Sequence, residues 1–126
     1  VSVKDNELKG LGSSANKMGV RVSFNVNNDQ NIADISDNII KSRADTPLSY
    51  PIVVEGFARI AKANNNIIDG IENLADRSAI RFVGASSSNK IEAISTGNIA
   101  KGGALVTMFN TNANTNLTEG VNKLTT

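Results

Sequence analysis

Apolar residues keep a single helical phase from Pro51 to Ser78, PIVVEGFARIAKANNNIIDGIENLADRS. Three sets of positions recur every seventh residue: Val53, Ile60, Ile67 and Leu74; Val54, Ala61, Ile68 and Ala75; Phe57, Asn64, Ile71 and Ser78. A stripe of this width is typical of a helix that packs on a globular core. The pattern therefore predicts a long central helix over Pro51–Ser78, with Pro51 in its first turn.

The middle of this stretch leaves two alternatives open. Three consecutive asparagines and then Gly70 lower the helix propensity there. One alternative is a strand over Ile52–Ala61 joined to a helix from Asn66, because short apolar runs are ambiguous between the two states. The other is a pair of separate helices, although a hairpin has no reason to keep the same phase across its break.

Strict alternation of apolar and polar residues predicts strands elsewhere in the chain. Gly19–Asn27 alternates throughout, which indicates a strand with one wet face. Ala79–Ala85 and Lys90–Thr96 flank a small polar loop and predict a β-hairpin, with Ala104–Asn110 as a further strand beside it. Asn31–Arg43 places its isoleucines on one helical face and predicts a short amphipathic helix.

These elements predict an α+β fold in which the long helix lies across a small antiparallel sheet, with one short extra helix. Residues 1–126 are expected to form a single domain, with 1–18 and 111–126 as flexible or partner-docking arms. Replacing Ile67 with Ala is then expected to cost about 2–5 kcal/mol. The predicted core consists of Val20, Val22, Phe24, Val54, Phe57, Ile60, Ile67, Ile71 and Leu74.

Composition narrows the chemistry that the chain can perform. There is no Cys and no His, so thiol nucleophiles, disulfides, ordinary Ser–His pairs and His-ligated metals are excluded, and we expect no cofactor and no metal. The 13 basic and 12 acidic side chains nearly balance, which does not favour nucleic acid or an anionic membrane as a partner. The sequence has no apolar run of transmembrane length, so membrane insertion is not expected.

Four polar residues of the predicted helix are candidates for an interface. Asp69, Glu72 and Asp76 would share a helical face, where repulsion could raise the pKa of one carboxyl toward that of a general acid. The simpler interpretation is a solvated acidic face that meets basic residues of this or another subunit. Asn64 would lie inside the apolar stripe, where a single Asn can fix the register of an oligomer.

The opening of Asn31–Ile39 echoes that of Asn66–Leu74, with Asn, Ile and acidic residues at the same relative positions. We interpret the echo as shared helix chemistry rather than as a structural repeat, because nothing downstream continues it.

The sequence favours a non-enzymatic structural or assembly subunit that acts as a homo-oligomer, together with other protein subunits. Usage rich in Asn, Ser, Thr and Gly is common in phage and bacterial surface or assembly proteins, and it favours a virion, appendage or cell-surface location. The alternative is a small ligand-binding domain or an enzyme that works with carboxylates.

Overall fold

A computed structural model describes residues 1–12 and 17–126, and the regular structure within these ranges consists of strands. In chain order they are β1 (Ser2–Lys4), β2 (Glu7–Leu11), β3 (Met18–Phe24), β4 (Ile32–Ser36), β5 (Ile39–Ser42), β6 (Tyr50–Gly56), β7 (Ile60–Asn64), β8 (Ile67–Asp69), β9 (Ser78–Gly84), β10 (Ile91–Ser95), β11 (Ile99–Lys101), β12 (Thr107–Thr111), β13 (Thr115–Glu119) and β14 (Lys123–Thr125).

The strands wind into a β-solenoid of about four turns, in which each full coil adds one strand to each of three sheets. Sheet A has the order β1-β4-β7-β10-β13, sheet B the order β2-β5-β8-β11-β14, and sheet C the order β3-β6-β9-β12. Neighbouring strands in these sheets pair in parallel. Residues of successive coils therefore stack in rows along the solenoid axis.

The predicted α+β fold is wrong, and so is each of its helices. Pro51–Ser78 forms most of β6, all of β7 and β8, and the first residue of β9, while Asn31–Arg43 forms β4 and β5. The strands predicted at Ala79–Ala85 and Lys90–Thr96 exist as β9 and β10, but the hairpin does not. They lie in different sheets, C and A, and pair in parallel with strands of neighbouring coils.

The helical phase was misleading because the corners between short strands interrupt the two-residue alternation and imitate a longer spacing. Ala61 and Ala63 of β7 point inward and are fully buried, whereas Ile60 is 40% exposed and Ile67 is 48% exposed. Parallel pairing stacks Ala33, Ala61 and Ala93 in one inner row. Large side chains fill the interior beside this row, and Ile35, Ile40, Ile68 and Phe82 are at most 1% exposed.

The predicted core is therefore correct only in part. Val20, Val22, Val54 and Ile71 are buried, Phe24 and Phe57 are half-buried, and Ile60, Ile67 and Leu74 are exposed. The penalty of about 2–5 kcal/mol for Ile67→Ala was expected only if Ile67 is core, and that condition is not met, because its side chain lies on the outer face of sheet B.

A row of stacked asparagines, the asparagine ladder, lines the corner between sheets A and B. Each Nδ2 donates to Oδ1 of the next ladder residue at 2.9–3.2 Å, and each backbone N–H donates to the same oxygen. Buried amides need such partners, and here each coil supplies them to the next. The ladder consists of Asn6, Asn38, Asn66, Asn98 and Asn122.

The ladder corner has a backbone signature in the sequence. The residues before the first four ladder positions, Asp5, Asp37, Asn65 and Gly97, have φ of 57°, 60°, 56° and 73°. Asp, Asn and Gly tolerate this left-handed conformation better than other residues. The corner therefore explains why Asp, Asn or Gly precedes Asn at four points of the chain.

The repeat was missed because its interval varies. Successive ladder residues are 32, 28, 32 and 24 positions apart. The echo between Asn31–Ile39 and Asn66–Leu74 compares the wrong residues, because Asn66 stacks on Asn38 rather than on Asn31. The informative signal was Asn-Ile preceded by Asp, Asn or Gly, which recurs at Asn38, Asn66 and Asn98 but not at Asn31.

Both segments predicted as arms contribute strands to the solenoid. The segment 1–18 holds β1, β2 and the first residue of β3, apart from residues 13–16, which lie outside the described ranges. The segment 111–126 holds β13, β14 and the last residue of β12, and its Leu117 and Leu124 pack against the core. No helix in the described ranges is long and apolar enough to cross a membrane.

Candidate functional site

The four interface candidates do not share a face. Asn64 ends β7 in sheet A, where its Oδ1 accepts the backbone N–H of Thr96 at 3.0 Å. Asp69 ends β8 on the outer face of sheet B, 3.9 Å from the Lys41 ammonium group. Glu72 and Asp76 lie in the loop between β8 and β9. The predicted helix that placed these four residues together is absent from the described structure. Their role in an interface stays a prediction.

The outer face of sheet B carries an apolar row that we call the isoleucine row. Ile39, Ile67 and Ile99 stack in register on adjacent strands and are 40–49% exposed. The same register continues to Glu7 on β2 and to Lys123 on β14. The row thus has three isoleucines between an acid at one end and a base at the other.

Two loops meet at the start of sheet C and build a polar cluster there. The residues after β8 run beside those before β6, where Leu48 N–H donates to Gly70 O and Glu72 N–H donates to Leu48 O. This pairing brings the Glu72 carboxylate to the Ser49 hydroxyl at 3.2 Å. We call the assembled group the Tyr50 cluster, and it consists of Lys17, Arg21, Ser49, Tyr50, Glu55, Glu72, Arg77 and Arg81.

Glu72 is the anionic centre of the Tyr50 cluster. Its carboxylate accepts hydrogen bonds from Arg77 Nε at 2.9 Å and from Lys17 Nζ at 2.9 Å. These contacts, with that of Arg77 the strongest, lower the pKa of Glu72 from 4.5 to about 2. Glu72 therefore stays ionised at neutral pH, which is the opposite of what a general acid requires.

Two arginines lie against the ring of Tyr50. The guanidinium carbon of Arg81 is 4.7 Å from the ring centroid, and that of Arg77 is 5.7 Å away. Both distances fall within the range of cation–π attraction. Arg77 is also held by Glu72 and Asp76, so its place in the cluster is fixed by ion pairs.

Arg81 differs from the other cations of the cluster because no carboxylate in the described ranges pairs with it. Its register neighbours are Val53 on β6 and Asn110 on β12, and beyond Val53 lies Arg21, which is paired with Glu55. The Nε–H of Arg81 is buried and has no acceptor. A buried donor without a partner costs about 1–3 kcal/mol.

A cavity of about 310 Å³ opens beside these residues, with Lys17, Arg21, Tyr50, Val53, Glu55 and Arg81 in its wall. Such a volume lies at the small end of ligand-binding pockets. Its cationic, hydrogen-bond-donating wall suits an anion rather than acid–base chemistry. In the described ranges, no group of three or more carboxylates is arranged to hold a metal ion.

Sequence reasoning missed both the isoleucine row and Arg81. The stacked pairs of Arg21 with Val53 and Val53 with Arg81 depend on the interval between coils, which varies along the chain.

Comparison with known proteins does not assign the chain to a family. No protein-family model, no curated protein and no solved structure matches the chain.

Proposed function

We propose that this protein is a non-enzymatic structural or assembly subunit that acts through contacts between copies of itself, as part of a virion, appendage or cell surface. The observation that carries the proposal is the isoleucine row, a strip of exposed apolar residues on an otherwise polar sheet face. A β-solenoid is compatible with such a role, because a stack of hydrogen-bonded coils makes a stiff body with long flat faces.

The charges at the two ends of the row support a second copy as the occupant. When two sheet B faces pack with their solenoid axes antiparallel, Ile67 meets the partner's Ile67 and Ile39 meets the partner's Ile99. Glu7 then lies opposite the partner's Lys123, at both ends of the contact. A twofold interface has this self-complementary form, and opposite charges at its rim favour one orientation over the other.

A row of charged residues beside the isoleucine row weakens the proposed contact between two sheet B faces. Lys41, Asp69 and Lys101 stack in register beside the isoleucines, so Lys41 would lie opposite the partner's Lys101. Long lysine side chains can extend into solvent at the rim, and Asp69 holds Lys41 within its own subunit. Five strands spaced about 4.8 Å apart make a face about 20 Å tall, which implies a small interface and weak association.

Sedimentation velocity up to about 200 μM tests the proposal by comparing two substitutions of the same residue type. Ile67→Lys places a charge at the centre of the row and should abolish dimers. Ile94→Lys is the matched control, because Ile94 is similarly exposed, at 43%, on the outer face of sheet A. A wild-type protein that remains monomeric, or equal loss of dimer in both variants, would refute the proposal.

A charge exchange tests the antiparallel orientation. Glu7→Lys or Lys123→Glu alone should weaken the dimer several-fold, because each places like charges together at both ends. The double variant should restore association, because every contact again joins opposite charges. Failure of the double variant to recover would mean that the faces pack in another orientation or not at all.

A further inference from the structure

Together with Asp76, which pairs with Arg77, the Tyr50 cluster carries one positive charge more than its carboxylates neutralise. Arg21 pairs with Glu55, and Lys17 shares Glu72 with Arg77, which also contacts Asp76. Four cations therefore face three carboxylates, and the cation left without a counter-charge is Arg81. Arg81 lies in the wall of the cavity.

We propose that the cavity on sheet C binds a carboxylate, which Arg81 takes through its guanidinium group. A guanidinium offers parallel N–H donors that match the two oxygens of a carboxylate. One such ligand would neutralise the excess charge of the cluster and give the unbonded Nε–H an acceptor.

The surrounding charges favour a carboxylate over a phosphate. A carboxylate is a monoanion and balances the single excess charge. A phosphate dianion would overcompensate it and would be repelled by the negative charge of Glu72 nearby. A volume of about 310 Å³ admits a small organic acid or one acidic side chain, with the buried Val53 as part of the apolar wall.

Binding requires a movement that can be observed directly. The Nε atom of Arg81 has no exposed surface, so the side chain must shift over the Tyr50 ring before a carboxylate oxygen can reach it. The Nε–Hε signal of Arg81 in a ¹H–¹⁵N NMR spectrum reports both that movement and the new hydrogen bond.

The test is a titration of the 126-residue protein with sodium butyrate, butyramide and inorganic phosphate. Butyrate should shift the Arg81 Nε–Hε signal in a saturable way, while butyramide, which has the same shape and no charge, should not. Phosphate should bind at least several-fold more weakly than butyrate. Equal response to butyrate and butyramide, tighter binding of phosphate, or no response to any of them would overturn the proposal.

Variants locate the binding on Arg81. Arg81→Met should weaken butyrate binding at least tenfold, and Arg81→Lys should keep part of it, because the charge remains and the paired donors are lost. Arg59→Met is the control, since Arg59 is a partly exposed arginine paired with Asp29 outside this cluster. Unchanged binding in Arg81→Met would contradict the proposal, and if that variant fails to fold, Arg81→Lys and the wild-type titration decide it.

A second pair of probes distinguishes two sources of the carboxylate, an acidic side chain of a protein and a free organic acid. The peptide acetyl-Gly-Glu-Gly-amide is compared with the same peptide carrying Gln. If the Glu peptide binds at least tenfold more tightly than butyrate, the site takes an acidic side chain of a protein; if not, it takes a free organic acid. Sheet C and sheet B are different faces, so this site and the isoleucine row can fail independently.

Discussion

The asparagine ladder and the Tyr50 cluster both gather polar side chains, and they differ in how completely those side chains are bonded. In the asparagine ladder, Asn66 Oδ1 accepts from Asn38, and its Nδ2 donates to Ile35 O and to Asn98 Oδ1. In the Tyr50 cluster, Arg81 keeps a buried Nε–H with no acceptor.

This difference in hydrogen bonding distinguishes a structural element, the ladder, from a candidate binding site, the Tyr50 cluster. The ladder repeats in every coil, so each member is satisfied by the next and the row holds the corner in place. The outer row of sheet C does not repeat, since Arg21, Val53, Arg81 and Asn110 follow one another in register. In this non-repeating row the charge of Arg81 has no carboxylate partner. A ligand carboxylate could supply that partner.

Breaking the ladder should have the largest effect on stability. Asn66→Ala removes the acceptor of the Asn38 side chain and backbone N–H, and the donor to Ile35 O, all of them buried. Each stranded group costs about 1–3 kcal/mol, so we expect a loss of at least about 3 kcal/mol in the free energy of unfolding. Urea denaturation followed by circular dichroism measures it.

Asn64→Ala is the matched control for that experiment, because Asn64 is half-buried and its amide makes one bond, to Thr96 N–H, among the described residues. Its loss should stay near about 1 kcal/mol. Equal losses in the two variants would mean that the ladder is no more than an ordinary set of side-chain contacts.

Adjacent residues of β8 give the next largest effect and test which face is inside. Ile68 is 1% exposed and stacks on the buried Ile40, whereas Ile67 points outward beside it. Ile68→Ala should cost about 2–5 kcal/mol, and Ile67→Ala less than about 1 kcal/mol. The measurement is the urea midpoint of each variant at a concentration where the wild type is monomeric. If Ile67→Ala cost more stability than Ile68→Ala, Ile67 rather than Ile68 would be the buried residue, and the assigned inner and outer faces of sheet B would be wrong.

The smallest expected effect is the pH dependence of the Tyr50 cluster. The folded-state pKa of Glu72 is about 2, below its ordinary value of 4.5, so the stability it adds is complete above about pH 5. That contribution is lost as the pH falls from about 4.5 toward 2. Wild type should therefore lose more stability than Glu72→Gln between about pH 6 and pH 3. Parallel pH profiles for the two proteins would show that the ion pairs of Glu72 add nothing to folding.

Local patterns in the sequence correctly predicted several strands. The alternation in Gly19–Asn27 corresponds to β3, and the runs at Ala79–Ala85 and Ala104–Asn110 overlap β9 and β12. Such strands are recognisable because alternation of inner and outer side chains is a property of the strand itself. The same reasoning failed at Ile52–Asp69, where two corners shift the alternation between β6, β7 and β8.

The sequence could not show which isoleucines are buried. Ile67 and Ile68 are the same residue type side by side, and the inner position is set by the corner at Asn65, whose φ is 56°. Hydrophobicity alone favoured Ile60 for the core, but Ile60 lies on the outer face of β7 and the neighbouring Ala61 points inward. The candidate site was missed because its charged residues are common at protein surfaces. Only the fold brings them together.

The sequence alone determined that catalysis by His, Cys or their metal complexes is absent from this chain, and it determined the local alternation of β3, β9 and β12. The tertiary structure decided that the strands stack in parallel coils and that the asparagines form a ladder. It also decided that Arg81 meets Tyr50 without a carboxylate of its own. The physical reason is that alternation acts between neighbours in the chain, whereas stacking joins residues 24 to 32 positions apart at an interval that changes from coil to coil.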